Sequence, residues 1–270
     1  MQTTQTSWPL ELEVAHKLVQ MRGWLEQQHA GAIRLRGADW FAWATAGASN
    51  SQCHASDLGC AEVLVTRAAA YILTDEASAP RLRGLHAVHV LAAGAERQSR
   101  YRRAPSTNVA LGPGAVLALC ARRHGLCASL SRQRRFRPAR PARDGMGEAD
   151  ATILALEAVA LDACEVGHAL SMVYHALDSA YAYAGQPDTV QEFRQGGIAG
   201  YRSPEVAAGA HTEIALKDGM ALAFHPSLPG SMVEDTFLLS GGRLHNLTCD
   251  PDWPVTSVQG RLRPLTLELP

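Results

Sequence analysis

The sequence predicts an α+β protein in two parts, a small α/β domain over residues 1–95 and a larger α+β domain over residues 96–270. Three observations lead there. In the first ninety residues one amphipathic helical pattern is interleaved with short runs rich in β-branched and aromatic residues, as in a small α/β unit. Two Ala- and Leu-rich helical stretches begin at Glu148, and beyond Gly185 the chain is mainly strand pattern with Gly and Pro joints. At 270 residues the chain is long enough to bury two separate cores.

In order along the chain, Leu10, Val14, Leu18, Met21 and Leu25 fall on one face of an opening helix. Ala32–Leu35 and Trp40–Trp43 read as short strands, followed by a polar, Gly-containing loop from Gly47 to Gly59. Glu62–Thr66 and Ala70–Thr74 resemble a hairpin, and His86–Leu91 a further strand. From Val116 to Leu130 an antiparallel pair is expected to turn at Gly125. The Pro- and Arg-rich tract Arg134–Arg143 reads as a linker or exposed loop. Helices follow at Glu148–Ala163 and His168–Ala184, with Gly167 and Gly185 as stops. Strands at Met220–Phe224, Asp235–Leu239 and Leu244–Thr248 complete the larger domain.

Apolar residues make up 47% of the chain and charged residues 19%, a balance that folds rather than staying disordered. The opening MQTTQTSWPLELE has neither a basic region nor an apolar one, and no run of 18 apolar residues occurs. These features predict a cytoplasmic protein without a membrane segment. Six scattered cysteines fit buried free thiols better than a disulfide scaffold or a zinc knuckle. Arg97–Arg143 holds twelve arginines and no Asp or Glu. Arginine binds phosphate in two-point fashion. The apolar run Ala115–Leu119 interrupts the block, however, and few aromatics are present to stack on bases, so nucleic acid is not the expected partner.

Four segments, in a consistent order, resemble the M24 family of peptidases and creatinases, in particular its aminopeptidase P-like branch. Leu35–Ser49 (LRGADWFAWATAGAS) resembles the N-terminal segment with an aromatic W-x-T-G. Cys120–Arg132 (CARRHGLCASLSR) is similar to the paired strands reading D-x-G-x-x-x-x-G-Y-x-x-D-x-T-R. Phe193–Glu205 (FRQGGIAGYRSPE) looks like H-H-Q-G-G-x-x-G-Y-x-x-R-E, and Met220–Leu238 (MALAFHPSLPGSMVEDTFL) like A-F-x-x-N-P-S-I-x-G-x-K-S-E-D-T. The resemblance implies a "pita-bread" domain preceded by a creatinase-type N-terminal domain, and homodimerisation.

It also implies a pair of divalent ions held by two Asp, one His and two Glu, activating a bridging water. Carried over residue by residue, those positions are Ala118, Ser129, Gly197, His225 and Glu234. Only Glu234 retains its ligand type, and Ala and Gly offer no donor, so no metal and no other cofactor is expected. The family's second, catalytic His falls at Pro204, and the histidine base of the metal-free creatinases at Gly197.

The resemblance places His225 and Glu234 on neighbouring strands, with Glu205 and Arg194 approaching from the third segment. His225 can act as general acid or base, Glu234 can shuttle a proton if burial raises its pKa, and Glu205 is a third catalytic candidate. Arg194 can bind a substrate carboxylate or phosphate, with Tyr201 and Arg202 as further substrate-binding candidates. Each has a structural alternative: Glu234 as an acceptor of backbone hydrogen bonds, His225 as a strand-end hydrogen-bonding group before Pro226, and Gly196, Gly197 and Gly200 as a backbone turn.

The expected function is a metal-independent enzyme on this scaffold, acting on a small amino-acid-like or short-peptide substrate, as in a specialised biosynthetic pathway. Two alternatives stand beside it. One is an inactive binding or scaffold protein using the basic block. The other is a metallohydrolase with a relocated site built from His225, Glu234, His211 and a cysteine.

Overall fold

The computed structural model describes residues 9–50, 59–83, 89–93, 114–123, 125–136, 147–187, 189–192, 194–228 and 231–269. Contacts divide the chain into one unit of Met1–Pro105 with Arg123–Leu126 and another of Ser106–Arg122 with Cys127–Pro270.

The first unit runs α1 (Leu10–Gln27), β1 (Ala32–Leu35), α2 (Ala38–Ala44), β2 (Ala61–Thr66), β3 (Ala70–Asp75), α3 (Ala79–Leu82) and β4 (His89–Ala93). Its sheet has the order β1-β2-β3-β4, antiparallel except for the parallel β3–β4 pair. Val14, Leu18, Met21 and Leu25 are the buried apolar face of α1, each contributing about 1.5–3 kcal/mol by leaving water. Val14, Leu18 and Met21 join a core with Val63, Val65 and Ile72, whose alternation in β2 and β3 comes from the period-two strand pattern.

Trp40–Trp43, expected as a strand, belongs to helix α2. Aromatic residues favour strands, but Ala38, Phe41, Ala42 and Ala44 are the buried positions, and the three-to-four spacing among them puts one face on the core only in a helix. Gly37, at φ 99°, makes the left-handed turn from β1 into that helix.

The second unit begins with β5 (Gly114–Arg123) and β6 (Leu126–Phe136), neighbours in a sheet of order β16-β6-β5. Arg134–Phe136, expected as loop, is the end of β6 and pairs in parallel with the C-terminal strand β16 (Leu267–Leu269). The helices are α4 (Glu148–Asp162), α5 (Leu170–Tyr183) and the short α6 (Thr189–Glu192). Then come β7 (Gly196–Ala199), β8 (Val206–Ala207), β9 (Ala221–Phe224), β10 (Ser227–Leu228), β11 (Ser231–Met232), β12 (Asp235–Ser240), β13 (Arg243–Asn246), β14 (Val255–Val258) and β15 (Arg261–Pro264). A five-stranded sheet has the order β13-β12-β9-β7-β8, antiparallel at each junction, and β10–β11 and β14–β15 form two hairpins.

Leu154, Leu161, Val173, Leu177 and Tyr181 of α4 and α5 share one core with Leu222, Phe224 and Phe237 of that sheet. Among the described residues no helix is long and apolar enough to cross a membrane. Cys60, Cys127 and Cys164 are buried, and burial pushes the Cys164 thiol up to about 12. Cys249 is free and exposed, against the expectation of burial. His54, Cys53, His124 and most of the arginine block lie outside the described residues.

Candidate functional site

The register of the five-stranded sheet builds the site. Phe224, the last residue of β9, sits opposite Gly196 of β7 on one side and Asp235 of β12 on the other. One residue further, His225 and Glu234 therefore flank each other beyond the strand ends. His225 Nδ1 lies 3.7 Å from Glu234 Oε1, beyond hydrogen-bond length and an ion pair only when the imidazole is protonated. The backbone of each is fixed: His225 N–H donates to Gln195 O at 3.0 Å, and Glu234 O accepts from Ser131 N–H at 2.9 Å.

Both side chains are largely but not wholly enclosed, at 25% exposure for His225 and 11% for Glu234. Burial lowers the His225 pKa from its ordinary value, and a hydrogen bond from the ring to the Arg194 backbone carbonyl opposes that shift. His225 is thus a neutral imidazole near pH 7, able to take a proton beside a carboxylate.

Beneath this pair the supports are hydroxyls and a buried ion network. Thr236 Oγ1 donates to Ser129 O and accepts from Ser129 N–H, both at 2.8 Å, tying β12 to β6. Tyr181 from α5 accepts from Ser227 N–H at 2.9 Å and donates to Gln195 Oε1 at 3.0 Å, bracing the turn that follows His225. Asp235, adjacent to Glu234, accepts from Arg132 Nη1 at 3.0 Å, Thr248 Oγ1 at 2.7 Å and Arg263 Nη1 at 2.5 Å. Arg263 also engages both oxygens of Glu157, and desolvation pushes the Glu157 carboxyl up to about 7 against the pull of Arg263.

The other expected site residues stand differently. The Arg194 side chain is exposed, and it is the backbone carbonyl that reaches His225. Glu205 is exposed and turned onto its own loop, where Oε1 accepts Tyr201 N–H at 2.5 Å. Tyr201 is half-buried and Arg202 exposed on the same turn between β7 and β8. The sequence alone gave no sign of Gln195 or Thr236 as supports, and marked Tyr181 only as a core residue of its helix. Their partners lie 14, 107 and 46 residues away.

The resemblance expects a metal-binding histidine at Gly197, and the backbone around that position does not fit one. A Cβ added at Gly197, the histidine position, would lie 2.1 Å from Val206 O and 2.9 Å from Ala208 N, so backbone occupies the space a side chain would need. Gly196 is closed off in the same way by Ala223 O at 2.1 Å. Among the described residues no group of three or more His, Cys, Asp or Glu is placed to hold a metal ion, and His211 is exposed on a turn.

No family model matches the sequence, and no curated protein is similar to it. Solved structures do match in shape. The prolidase from Pyrococcus horikoshii OT3 has a TM-score of 0.64 at 12% identity, over 87% of this chain and 98% of that one. The X-Pro aminopeptidase from Thermotoga maritima MSB8 gives 0.61 at 11%, over 93% and 99%. The N-terminal domain of the FACT complex subunit SPT16 from chickpea gives 0.52 at 10%, over 88% and 95%. The chain has the α+β pita-bread fold of the M24 prolidases and aminopeptidases. At such identities the likeness concerns the fold and not the activity.

Proposed function

We propose that this prolidase-like fold serves a metal-independent enzyme acting on a small amino-acid-like or short-peptide substrate, within a specialised biosynthetic pathway. The observation that carries the proposal is the enclosed His225–Glu234 pair, two proton-transfer groups 3.7 Å apart, at positions the fold relatives are expected to use for metal ligands. In this reading neutral His225 removes a proton from the substrate, and Glu234 balances the imidazolium that forms. Arg194, with Tyr201 and Arg202 on the neighbouring turn, is assigned the substrate's carboxylate, and Glu205 holds that turn in shape. Residues 1–95 are assigned as a creatinase-type accessory domain, residues 96–270 as the reacting domain, and the working form as a homodimer in the cytoplasm.

The test joins metal content, measured by mass spectrometry on protein purified without chelator, to turnover of a panel of dipeptides and amino-acid derivatives. The expected result is sub-stoichiometric metal, with turnover that falls at least 100-fold in His225→Ala and Glu234→Gln while the thermal midpoints change little. Full activity in both variants would remove the pair from the mechanism.

A second reading has an observation of its own. A subunit of a complex, SPT16, shares the fold. In that reading the chain binds a protein partner, with the arginine block as the contact face. Absence of turnover across the panel, together with partner binding that survives both variants, would favour it.

A further inference from the structure

In the second unit, lined by Val233 next to Glu234 in the chain, lies a partly open cavity of about 20 Å³ that the proposed reaction does not use. Its polar walls are Ser131 and Gln133 from β6, Asp150 from the first turn of α4, Ser231 from β11 and Thr266 before β16. All five present oxygen. The volume suits one water-sized particle.

The hydrogen-bond directions set what that particle is. Ser231 Oγ–H donates to Asp150 Oδ1 at 2.8 Å, and Thr266 Oγ1–H to Asp150 Oδ2 at 2.9 Å. Gln133 Oε1 accepts Met232 N–H at 3.4 Å and lies 3.5 Å from Ser231 Oγ, whose proton has the nearer acceptor in Asp150 Oδ1. With both hydroxyl protons directed at the carboxylate, the oxygens turn lone pairs toward the void. Ser131 Oγ is buried, with Ser131 at 1% exposure, and has no hydrogen-bond partner. A hydroxyl stranded in this way costs free energy unless something fills the site. Asp150 is the only ionisable group of the five, so the wall carries a single negative charge. Hard oxygen donors with one charge match a small monovalent cation, whereas calcium sites gather several carboxylates.

We propose that this cavity binds one monovalent cation of the sodium class, clamping β6, α4, β11 and the segment before β16 around the strand end that carries Glu234. The site is independent of the proposed reaction, and its test reads stability rather than turnover.

The full chain is melted in sodium chloride and in choline chloride at equal concentration. Sodium is expected to raise the thermal midpoint by about 2–4 °C. Ser131→Ala is expected to reduce that difference to under about 1 °C, and Thr266→Val serves if Ser131→Ala does not fold. In crystals soaked with rubidium, anomalous density is expected between Asp150 and Ser131. Equal midpoints in the two salts, a difference that persists in the folded variant, or density of water strength alone would each overturn the proposal and leave an ordered water in the cavity.

Discussion

The two units differ in how they treat charge near the core. In the first, the apolar side chains of α1, α2 and the sheet pack on each other, and Lys17 snorkels: its ammonium reaches Trp43 O at 2.7 Å, lies 5.3 Å from the Trp43 ring centroid and pairs with Glu13. In the second, Arg132, Asp235, Glu157 and Arg263 meet inside, with 7%, 1%, 1% and 1% exposure, two positive charges against two negative. Hydrophobic residues of similar volume would stabilise that interior at least as well. What the ions add is a fixed position for β12, since the donors to Asp235 come from three segments, Arg132, Asn246 with Thr248, and Arg263, and β12 begins one residue after Glu234. The second unit thus carries its buried charge network at the start of the strand that Glu234 precedes, whereas among the described residues of the first unit the buried cation, Lys17, pairs with its own helix and α2.

The largest expected effect tests that contrast. Arg263→Ala leaves Glu157 and Asp235 buried with a partner removed and should cost about 3–5 kcal/mol in urea unfolding. A loss under about 1 kcal/mol would mean the network is no more than packing.

The pH dependence should show an intermediate effect. Burial pushes the Glu157 carboxyl up from its ordinary value of 4.5 to about 7 in the folded protein. A raised carboxyl pKa means the folded state binds more protons in that window, so its contribution to stability is present below about 4.5 and lost as pH rises through about 7. Glu157→Gln should remove that decline from the stability–pH curve, and an unchanged curve would show that Glu157 stays ionised throughout. His225, whose pKa is lowered, acts in the opposite sense: its contribution is present above the unfolded value and lost as pH falls through the folded one.

The smallest expected effect lies in the first unit. Lys17→Met keeps the aliphatic stem and loses the hydrogen bond to Trp43 O together with the Glu13 pair, about 1.5–3 kcal/mol. A cost equal to that of Arg263→Ala would erase the distinction between the units.

Much of the fold was legible because its elements carry their own period. The faces of α1, α4 and α5 follow from apolar spacing, and β2, β3, β9 and β12 from short β-rich runs between turns. Trp40–Trp43 was misread because in four residues aromatic content suggests a strand, and only the longer run Ala38–Ala44 shows the helical face. The C-terminal strands were not individually foreseen: β14 and β16 are short, and β16 is fixed by pairing with a partner more than a hundred residues earlier.

At the site, the sequence by itself determined which chemical groups are available. It has Ala118, Ser129 and Gly197 where the resemblance expects two carboxylates and a histidine, it has His225 where a third carboxylate is expected, and it keeps Glu234. Tertiary structure alone decided that His225 and Glu234 stand 3.7 Å apart, that Glu205 bends back to its own turn, and that Arg132, one of the twelve arginines of the basic block, is buried against Asp235. The physical reason is range: side-chain type is local, whereas burial and pairing depend on residues such as Arg132 and Asp235, 103 positions apart, which only the register of the folded sheets brings together.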